Sequence, residues 1–430
     1  MVSPEPAAPP TKAQALSPVH SGWRYAGWWN LAAGFVCSVL VVGSTIYSFG
    51  LYVTPVSESF GLSRAQANVG MMIFAVSIAV WSPLVGSLLD RIPAQAILCA
   101  GGVLLGAGLC SIANTASLRW VCFAIAVPLA LGMTCAGPLA ASTVVARWFR
   151  RRRGRAMGLV AVSTAAGGFV MTQVGAYLIL HYGWRAALNA TGIGGALVVC
   201  CIALLLIRSR PSEEDLRAGG EVGEAGDPEL VAGGGREWST RQLLLTPNFW
   251  FIAFGAGLLL ASDQALLISK IPYLLDIGIE LQAASFLVAC QSASSMAGKV
   301  GVGFAADRID LRKLFAVVAG CHLFLLAALI MKPDYFTLLV VFSCVGIAVG
   351  GVHPILTTLI AAAFGSRAYG SVYGRMNLVM QPISLLALYF IGAVYDRTGV
   401  YDVAFWTFGG LIFVGIALIS AVQLRSLSSP

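Results

Sequence analysis

Long apolar runs alternate with short polar segments along the chain. Twelve of these runs are close to, or longer than, the ~20 residues that cross a bilayer as an α-helix. They cover residues 29–55, 67–89, 94–115, 118–148, 154–181, 184–207, 248–275, 282–306, 314–331, 335–364, 369–395 and 403–424. The pattern therefore predicts an all-α membrane protein with twelve transmembrane helices.

The longest polar segment divides the runs into two groups of six. Residues 208–246 are rich in glycine and acidic residues, so we expect a flexible cytoplasmic linker between the halves 29–207 and 247–424. The first 28 residues lack the hydrophobic core and cleavage site of a signal peptide. They and residues 425–430 are predicted to be cytoplasmic tails, the first of them disordered.

The cations between the runs predict the orientation. With the N-terminus inside, the cytoplasmic segments hold 19 lysines and arginines and the outer segments hold 5. Cytoplasmic loops of membrane proteins carry such an excess of Lys and Arg. We therefore expect a multi-pass plasma (inner) membrane protein with both termini in the cytoplasm.

Composition agrees with the membrane class and excludes several others. The chain of 430 residues is 58% hydrophobic and 11% charged, whereas soluble domains carry ~25% charged residues. The net charge of +8 comes mostly from loop cations, so no nucleic-acid partner is expected. No metal-ligand spacing and no nucleotide-binding or hydrolase motif is present, which predicts no metal, no cofactor and no enzymatic activity.

The two halves share a repeated element. Residues 86–91 (GSLLDR) follow the second run, and residues 303–308 (GFAADR) follow the eighth, 217 positions later. Two six-span halves related by such a parallel repeat place the substrate site between them, near the middle of the membrane.

The repeated G-x-x-x-D-R element resembles the loop signature of the major facilitator superfamily. Further stretches are similar to the monocarboxylate porter family and its oxalate/formate antiporter relatives. These stretches are 47–50 (YSFG) with 60–64 (FGLSR), 146–149 (ARWF) with 152–158 (RRGRAMG), and 395–399 (YDRTG) with Tyr401. The resemblance implies the major facilitator fold and transport of a small organic anion.

The resemblance also implies roles for particular residues. Asp90 with Arg91 and Asp307 with Arg308 correspond to pairs that hold the cytoplasmic ends of the halves together, the alternative being a role in turn formation only. Lys299 occupies a position where many members carry an arginine that contacts the substrate carboxylate. Some relatives have an aspartate at Ser295 that takes part in proton coupling.

Lys299 is also singled out by physical chemistry. It lies eight residues from Asp307, a rise of ~12 Å along a helix, which places it inside the bilayer. A cation at that depth costs at least ~3 kcal/mol, so a partner must compensate it. That partner is either the substrate carboxylate or a fixed ion pair with a neighbouring helix.

Asp263 is the only acid deep in any apolar run. Because Ser295 cannot carry a proton, we expect Asp263 to serve as the proton-coupling residue, pairing with Lys299 or Lys270 in the empty carrier. A fixed structural pair is the alternative. Burial and a nearby cation act on a carboxylate in opposite directions, as a proton carrier requires.

Four further residues are candidates for the substrate site. Lys270, near the outer end of its run, either attracts substrate or extends to the outer surface. His353 binds substrate, shares a proton or is a packed histidine. Tyr47 and Gln381 are expected to line the cavity as hydrogen-bonding groups, although such residues also join helices.

Together these features predict a secondary transporter of a monocarboxylate that works by alternating access as a proton symporter. Its expected partners are the carboxylate, the proton and the lipid bilayer, and a monomer is the expected functional unit. A proton-independent anion exchanger of the oxalate/formate type is the alternative. A carboxylate receptor that does not transport is a third possibility from another class of protein.

Overall fold

A computed structural model of the chain describes residues 26–149, 153–208, 215, 240–306, 308–364 and 369–423. The described residues form helices joined by short turns, with the spans arranged in two groups of six. Most of both predicted tails and of the predicted linker lies outside the described residues. The first helix begins at Ala26, three residues before the predicted boundary, and a short helix, Thr240–Leu244, precedes the second half.

The N-terminal half contains spans one to six. Span one contains Ala26–Val42, a π-helical turn at Gly43–Tyr47, and Phe49–Phe60. Spans two and three are Arg64–Arg91 and Ala94–Asn114. Span four contains Leu118–Ala124, a second π-helical turn at Ile125–Leu129, Ala130–Ala136 and Pro138–Trp148, and spans five and six share the helix Arg153–Leu206. That last helix turns at Gly183, where φ is 80°. Glycine adopts this left-handed conformation without a steric penalty, so it ends span five.

The C-terminal half contains spans seven to twelve. They are Pro247–Asp276, Leu281–Ala306, Leu311–Met331, Tyr335–Phe364, Tyr369–Thr398 and Asp402–Ser420. By length and apolar composition, ten of the described helices qualify as membrane spans. Dividing the helix at Gly183 and adding the more polar span eight gives twelve, so the predicted number is confirmed.

Each half has its own hydrophobic core. One cluster of buried side chains belongs almost entirely to spans seven to twelve, and the other mainly to spans one to six. Two bodies that bury their own apolar surface can change their relative orientation without unpacking, which suits a protein whose halves rock. The end of the bundle where the chain starts and finishes is called the terminal end below, and the opposite end is the distal end.

Span nine carries a well-defined N-cap at the terminal end. The Asp310 carboxylate accepts hydrogen bonds from the backbone N–H and the side chain of Arg312. These bonds lower the pKa of Asp310 to about 2, so the carboxylate stays ionised. An anion at a helix N-terminus stabilises the first turn. The cap marks where span nine begins.

Spans eight and ten pack at very short range through glycines. A Cβ atom added at Gly298 would overlap the carbonyl oxygen of Ile347, and Cβ atoms at Gly346 and Gly350 would overlap carbonyl oxygens of span eight. Small residues allow membrane helices to approach this closely. The contact lies directly beside Lys299, so it also fixes the position of that lysine.

We therefore expect Gly298→Ala to destabilise the protein, because overpacking a tight contact costs ~1–3 kcal/mol. Gly301→Ala is the matched control on the same span, since a Cβ there meets nothing within 4 Å. The control is expected to be neutral or stabilising by up to ~1 kcal/mol from helix propensity. Thermal unfolding of the purified variants measures both effects. Equal melting temperatures for the two variants would contradict the packing argument.

Candidate functional site between the two halves

Lys299 crosses from the C-terminal half to the N-terminal half. Its ammonium Nζ donates to the carbonyl oxygen of Ala161, at 2.6 Å, and to the Oγ1 of Thr164, at 2.5 Å. Both acceptors belong to span five, whereas the lysine is on span eight. The side chain is half-buried and lies about two turns above the terminal end.

The partners of Lys299 are neutral oxygens. In the described part of the chain, no carboxylate is within 4.0 Å of its ammonium. The fixed ion pair considered from the sequence is therefore not seen there. Hydrogen bonds to a carbonyl and a hydroxyl orient the ammonium without neutralising it, so an anion that reaches it gains the full charge interaction. This geometry is suited to binding a carboxylate.

Asp263 lies beside a histidine on span nine. Its Oδ1 is 3.7 Å from Nε2 of His322, and the exposed fractions are 17% for the Asp263 side chain and 0% for that of His322. Among the described residues, neither Lys299 nor Lys270 lies within 4.0 Å of the Asp263 carboxylate, so the expected pairing with a lysine is not seen as a direct contact here. Lys299 is occupied on span five, and the Lys270 ammonium is bonded to Gln291.

Lys270 is buried within the C-terminal half and does not extend to the surface. Its exposed fraction is 3%, and its Nζ donates to Oε1 of Gln291 on span eight at 2.8 Å. Asp263 is two helical turns away on the same span and within electrostatic reach of Lys270. Lys270 thus places a second buried basic group near the site.

His353 is within electrostatic reach of both charged groups. The residue is exposed, and it interacts electrostatically with both Lys299 and Asp263. In this structure His353 is therefore not a histidine packed in the core. Because imidazole can donate, accept or bind a proton, His353 is placed to respond to both the anion and the carboxyl group.

Tyr47 and Gln381 are in different surroundings. The Tyr47 ring and the Ser292 hydroxyl fill the space that a side chain at Gly168 would need, so this tyrosine lies where spans one, five and eight meet. Tyr47 also interacts electrostatically with Asp263. Gln381 is exposed on span eleven, and its amide is 3.5 Å from Asn377 one turn earlier.

The predicted terminal-end gate is only partly described. Arg91 and Arg308 are exposed at the ends of spans two and eight. Asp307 and the side chain of Asp90 lie outside the described residues, so the predicted pairs remain predictions.

The distal end holds a cluster of charged residues that sequence reasoning missed. Nη2 of Arg64 is 3.1 Å from Oδ1 of Asp276, and the Arg64 guanidinium lies over the Tyr395 ring, 5.2 Å from its centroid. The backbone N–H groups of Arg64 and Ala65 donate to the Asp396 carboxylate at 2.8 and 2.9 Å. We call Arg64, Asp276, Tyr395 and Asp396 the distal cluster. It joins the two halves at this end.

Signals for the missed residues were present in the sequence. His322 is one of only four histidines, and it stands alone inside an apolar run. Arg64 and Asp396 belong to the FGLSR and YDRTG stretches that carry the family resemblance. Neither signal shows which residues meet, because that depends on how the helices pack.

A cavity of about 300 Å³ lies within the N-terminal half, and the Lys299, Asp263 and His353 side chains do not line it. Its lining is almost wholly apolar, drawn from spans one to four and Leu188 of span six. No lysine or arginine lines it, so a carboxylate placed there would be buried without a counter-charge. Of these two places, only the surroundings of Lys299 contain a cation.

Two six-helix halves, each with its own core and joined by polar contacts such as those of Lys299, have the architecture of a secondary transporter. The chain belongs to the Major Facilitator Superfamily, whose family model matches residues 31–268 and 252–428. This confirms the fold class and the superfamily expected from the sequence. Its relatives are transporters, so the expectation that it is not an enzyme is also confirmed.

Curated relatives match over nearly the whole chain. Monocarboxylate transporter 12 of Rattus norvegicus is 24% identical, over 95% of this chain and 87% of its own length. Monocarboxylate transporter 13 of the same organism is 25% identical, over 94% and 89%. Monocarboxylate transporter 12-B of Danio rerio is 26% identical, over 96% and 90%. The resemblance to monocarboxylate transporters seen in the short motifs is thus confirmed.

A solved structure has the same fold. A bacterial homologue of the human lysosomal transporter Spinster, in an inward-facing and occupied conformation, superposes with a TM-score of 0.70. The match covers 93% of this chain and 97% of that chain, at 15% sequence identity. This likeness supports the fold alone.

Proposed function

We propose that this protein transports a small monocarboxylate together with a proton, by alternating access, with Lys299 as the residue that binds the carboxylate. The single observation that carries the proposal is the Lys299 ammonium, which joins the two halves through two neutral oxygens. A carboxylate is the group that compensates such a cation. The names of the relatives, which are monocarboxylate transporters, support the same substrate class.

The proposed binding step exchanges one set of Lys299 contacts for another. The substrate carboxylate enters between the halves and takes hydrogen bonds that Lys299 otherwise gives to Ala161 and Thr164. Because these acceptors belong to the opposite half, substrate binding changes a contact between the halves. A ligand shifts a conformational equilibrium when it interacts differently with the two states, and this exchange of partners supplies such a difference.

The remaining contacts are assigned to residues near this lysine. His353 and Tyr47 contact the body of the substrate, and Lys270 and Gln381 add charge and hydrogen-bonding capacity at the edge of the cavity. Asp263 binds the co-transported proton. The terminal end is the cytoplasmic one, in a plasma (inner) membrane, and the monomer is the functional unit. Asp90, Arg91, Asp307 and Arg308 close that end.

One observation also supports the alternative of proton-independent anion exchange. Since the Lys299 ammonium has no acidic partner in the described ranges, the anion alone neutralises it and no proton is needed for that step. An exchanger would still require Lys299 but would make no use of Asp263. The two functions therefore differ in their response to a pH gradient.

Uptake by proteoliposomes tests the proposal. Labelled mono- and dicarboxylates of increasing chain length are offered with an acidic exterior, with equal pH on both sides, and to protein-free liposomes that correct for diffusion of the neutral acid. With a gradient of about one pH unit, one-to-one symport of a monoanion and a proton accumulates substrate up to about tenfold. Transport that ignores the gradient but is stimulated by internal anion would establish the exchanger instead. No protein-dependent uptake of any carboxylate would overturn the proposal.

A further inference from the structure

Asp263, the residue proposed to bind the proton, contacts His322, which has no role in the function proposed above. We infer that His322 is a second proton-binding residue of the carrier and shares the co-transported proton with Asp263, an inference that rests on the proposed proton-coupled function. His322 is on span nine, at 0% exposure, and the acidic group within 4.0 Å of it in the described ranges is Asp263. It belongs to none of the family motifs found in the sequence.

The hydrogen bonds of the imidazole determine which nitrogen is free. Nδ1 of His322 is 2.9 Å from the carbonyl oxygen of Val318, one turn earlier on the same helix. A carbonyl oxygen can only accept, so Nδ1 carries the hydrogen and donates it. In the neutral ring, Nε2 is then an acceptor. Nε2 is buried and has no hydrogen-bond partner in the described structure.

An acceptor nitrogen and a carboxylate thus face each other across 3.7 Å. With the ring neutral and the carboxylate ionised, neither atom brings a hydrogen to the contact, so the pair in that state can take up one proton. A proton placed between them would turn the contact into a charge-assisted hydrogen bond, which is normally ~2.7–2.9 Å long. A buried polar atom without a partner is costly. Proton uptake removes that cost, so the site is built to accept a proton.

The exposures of the two residues give the order of transfer. The Asp263 side chain is 17% exposed, whereas His322 is fully buried behind it. The proton therefore reaches Oδ1 of Asp263 first and passes to Nε2 of His322. The Oδ1–H bond breaks as the Nε2–H bond forms, and the Nδ1–H group is unchanged. Release on the other side of the membrane reverses these steps and needs no further reactant.

Other charged and titratable groups surround the pair. Lys270 on span seven, His353 on span ten and Tyr47 on span one all interact electrostatically with Asp263. His353 also interacts with Lys299, the proposed carboxylate-binding residue. It therefore provides a direct electrostatic connection between the anion site and the proton site.

Charge balance favours moving one proton with each monoanion. With Lys270, Lys299 and Asp263 charged and the histidines neutral, the empty site carries one net positive charge. A bound monoanion and one proton on the Asp263–His322 pair leave that total unchanged. The loaded and the empty carrier then cross with the same buried charge, which avoids the cost of an additional uncompensated ion.

Variants of both members of the pair test the inference in proteoliposomes, with an acid accepted by the wild type. A gradient of one pH unit drives accumulation of up to about tenfold in the wild type. In His322→Gln and Asp263→Asn this accumulation should fall to about onefold, which means that substrate is not concentrated. Counterflow exchange without a gradient should persist in both. His181→Gln is the matched control, because His181 is exposed at the distal end of span five and bonded to Tyr177. It should accumulate substrate as the wild type does.

The outcomes separate the inference from the function on which it rests. Full gradient-driven accumulation by His322→Gln would overturn the role of His322 and leave the proposed symport intact. Counterflow without accumulation in the wild type would instead overturn proton coupling itself, and the inference with it.

Nuclear magnetic resonance of protein with nitrogen-15-labelled histidine gives an independent readout that does not require transport. The His322 signal should respond to pH in the wild type and lose that response, or change it markedly, in Asp263→Asn. The His181 signal should be the same in both proteins. A His322 signal that is unaffected by Asp263→Asn would overturn the inference.

Discussion

Replacing Lys299 with alanine is expected to abolish carboxylate uptake while leaving the protein folded in the membrane. The variant removes the cation that we propose to bind the substrate carboxylate. Loss of one partner of a desolvated charge pair costs ~3–5 kcal/mol, so binding should fall by about a hundredfold or more. Uptake by proteoliposomes and direct binding of the labelled acid measure the loss.

The folded state should tolerate this change because no partner is left unsatisfied. The Ala161 carbonyl also accepts from the Thr164 hydroxyl at 2.8 Å, so both groups keep a hydrogen bond without the lysine. Removing a cation from the membrane interior also removes its desolvation cost. We therefore expect normal expression and an unchanged melting temperature, which distinguishes a binding defect from misfolding.

Two controls make the Lys299 result specific. Lys299→Arg keeps the charge and should retain measurable uptake, with a changed preference among acids because guanidinium binds carboxylate in a two-pronged geometry. Lys313→Ala removes an exposed cation near the terminal end of span nine and should transport as the wild type does. Near-normal uptake by Lys299→Ala would remove this residue from the substrate site.

The membrane architecture could be predicted because the bilayer imposes a length scale. A helix must remain apolar for ~20 residues to cross it, and this requirement is visible in the sequence without knowledge of packing. The depth of Lys299 followed in the same way, by counting residues from the polar end of its run. Those residue counts agree with the structure, in which span eight is Leu281–Ala306.

The partners of the buried polar residues could not be predicted from the same pattern. Transmembrane helices are apolar on most faces, so hydropathy leaves the rotation of each helix about its axis undetermined. The pairing of Asp263 with a lysine was reasonable on charge alone. In the structure, Lys270 is bonded to Gln291 and Lys299 to span five, and His322 is the residue that meets Asp263.

Contacts between the two halves could not be predicted from the sequence for a related reason. The FGLSR and YDRTG stretches are more than 330 positions apart, yet Arg64 and Asp396 are joined by a hydrogen bond. Their shared location at the distal end followed from the order of the spans. Whether the two ends touch depends on the conformation of the carrier, and a transporter must break such contacts in each cycle.

Arg64→Ala is therefore expected to open the distal end and slow transport. The side chain bonds to Asp276 and Thr54 and lies over the Tyr395 ring. Hydrogen bonds to a charged group contribute ~1.5–3 kcal/mol when partly shielded from water. The equilibrium between closed and open distal ends should shift by about tenfold to a hundredfold. Hydrogen–deuterium exchange should then be faster near Gly61 and Gly399, and uptake should be slower.

A charge swap distinguishes closure of the distal end from general damage. Asp276→Arg alone should place two guanidinium groups together and open this end even more than Arg64→Ala. Combined with Arg64→Asp, it should restore slow exchange, because attraction between the two halves is recovered with the charges reversed. Arg397→Ala is the neighbouring control, since Arg397 is exposed next to the cluster. If every variant exchanged deuterium as the wild type does, the distal cluster would not hold the halves together, and closure would have to rest on close backbone packing such as that of Gly392 against Ala65.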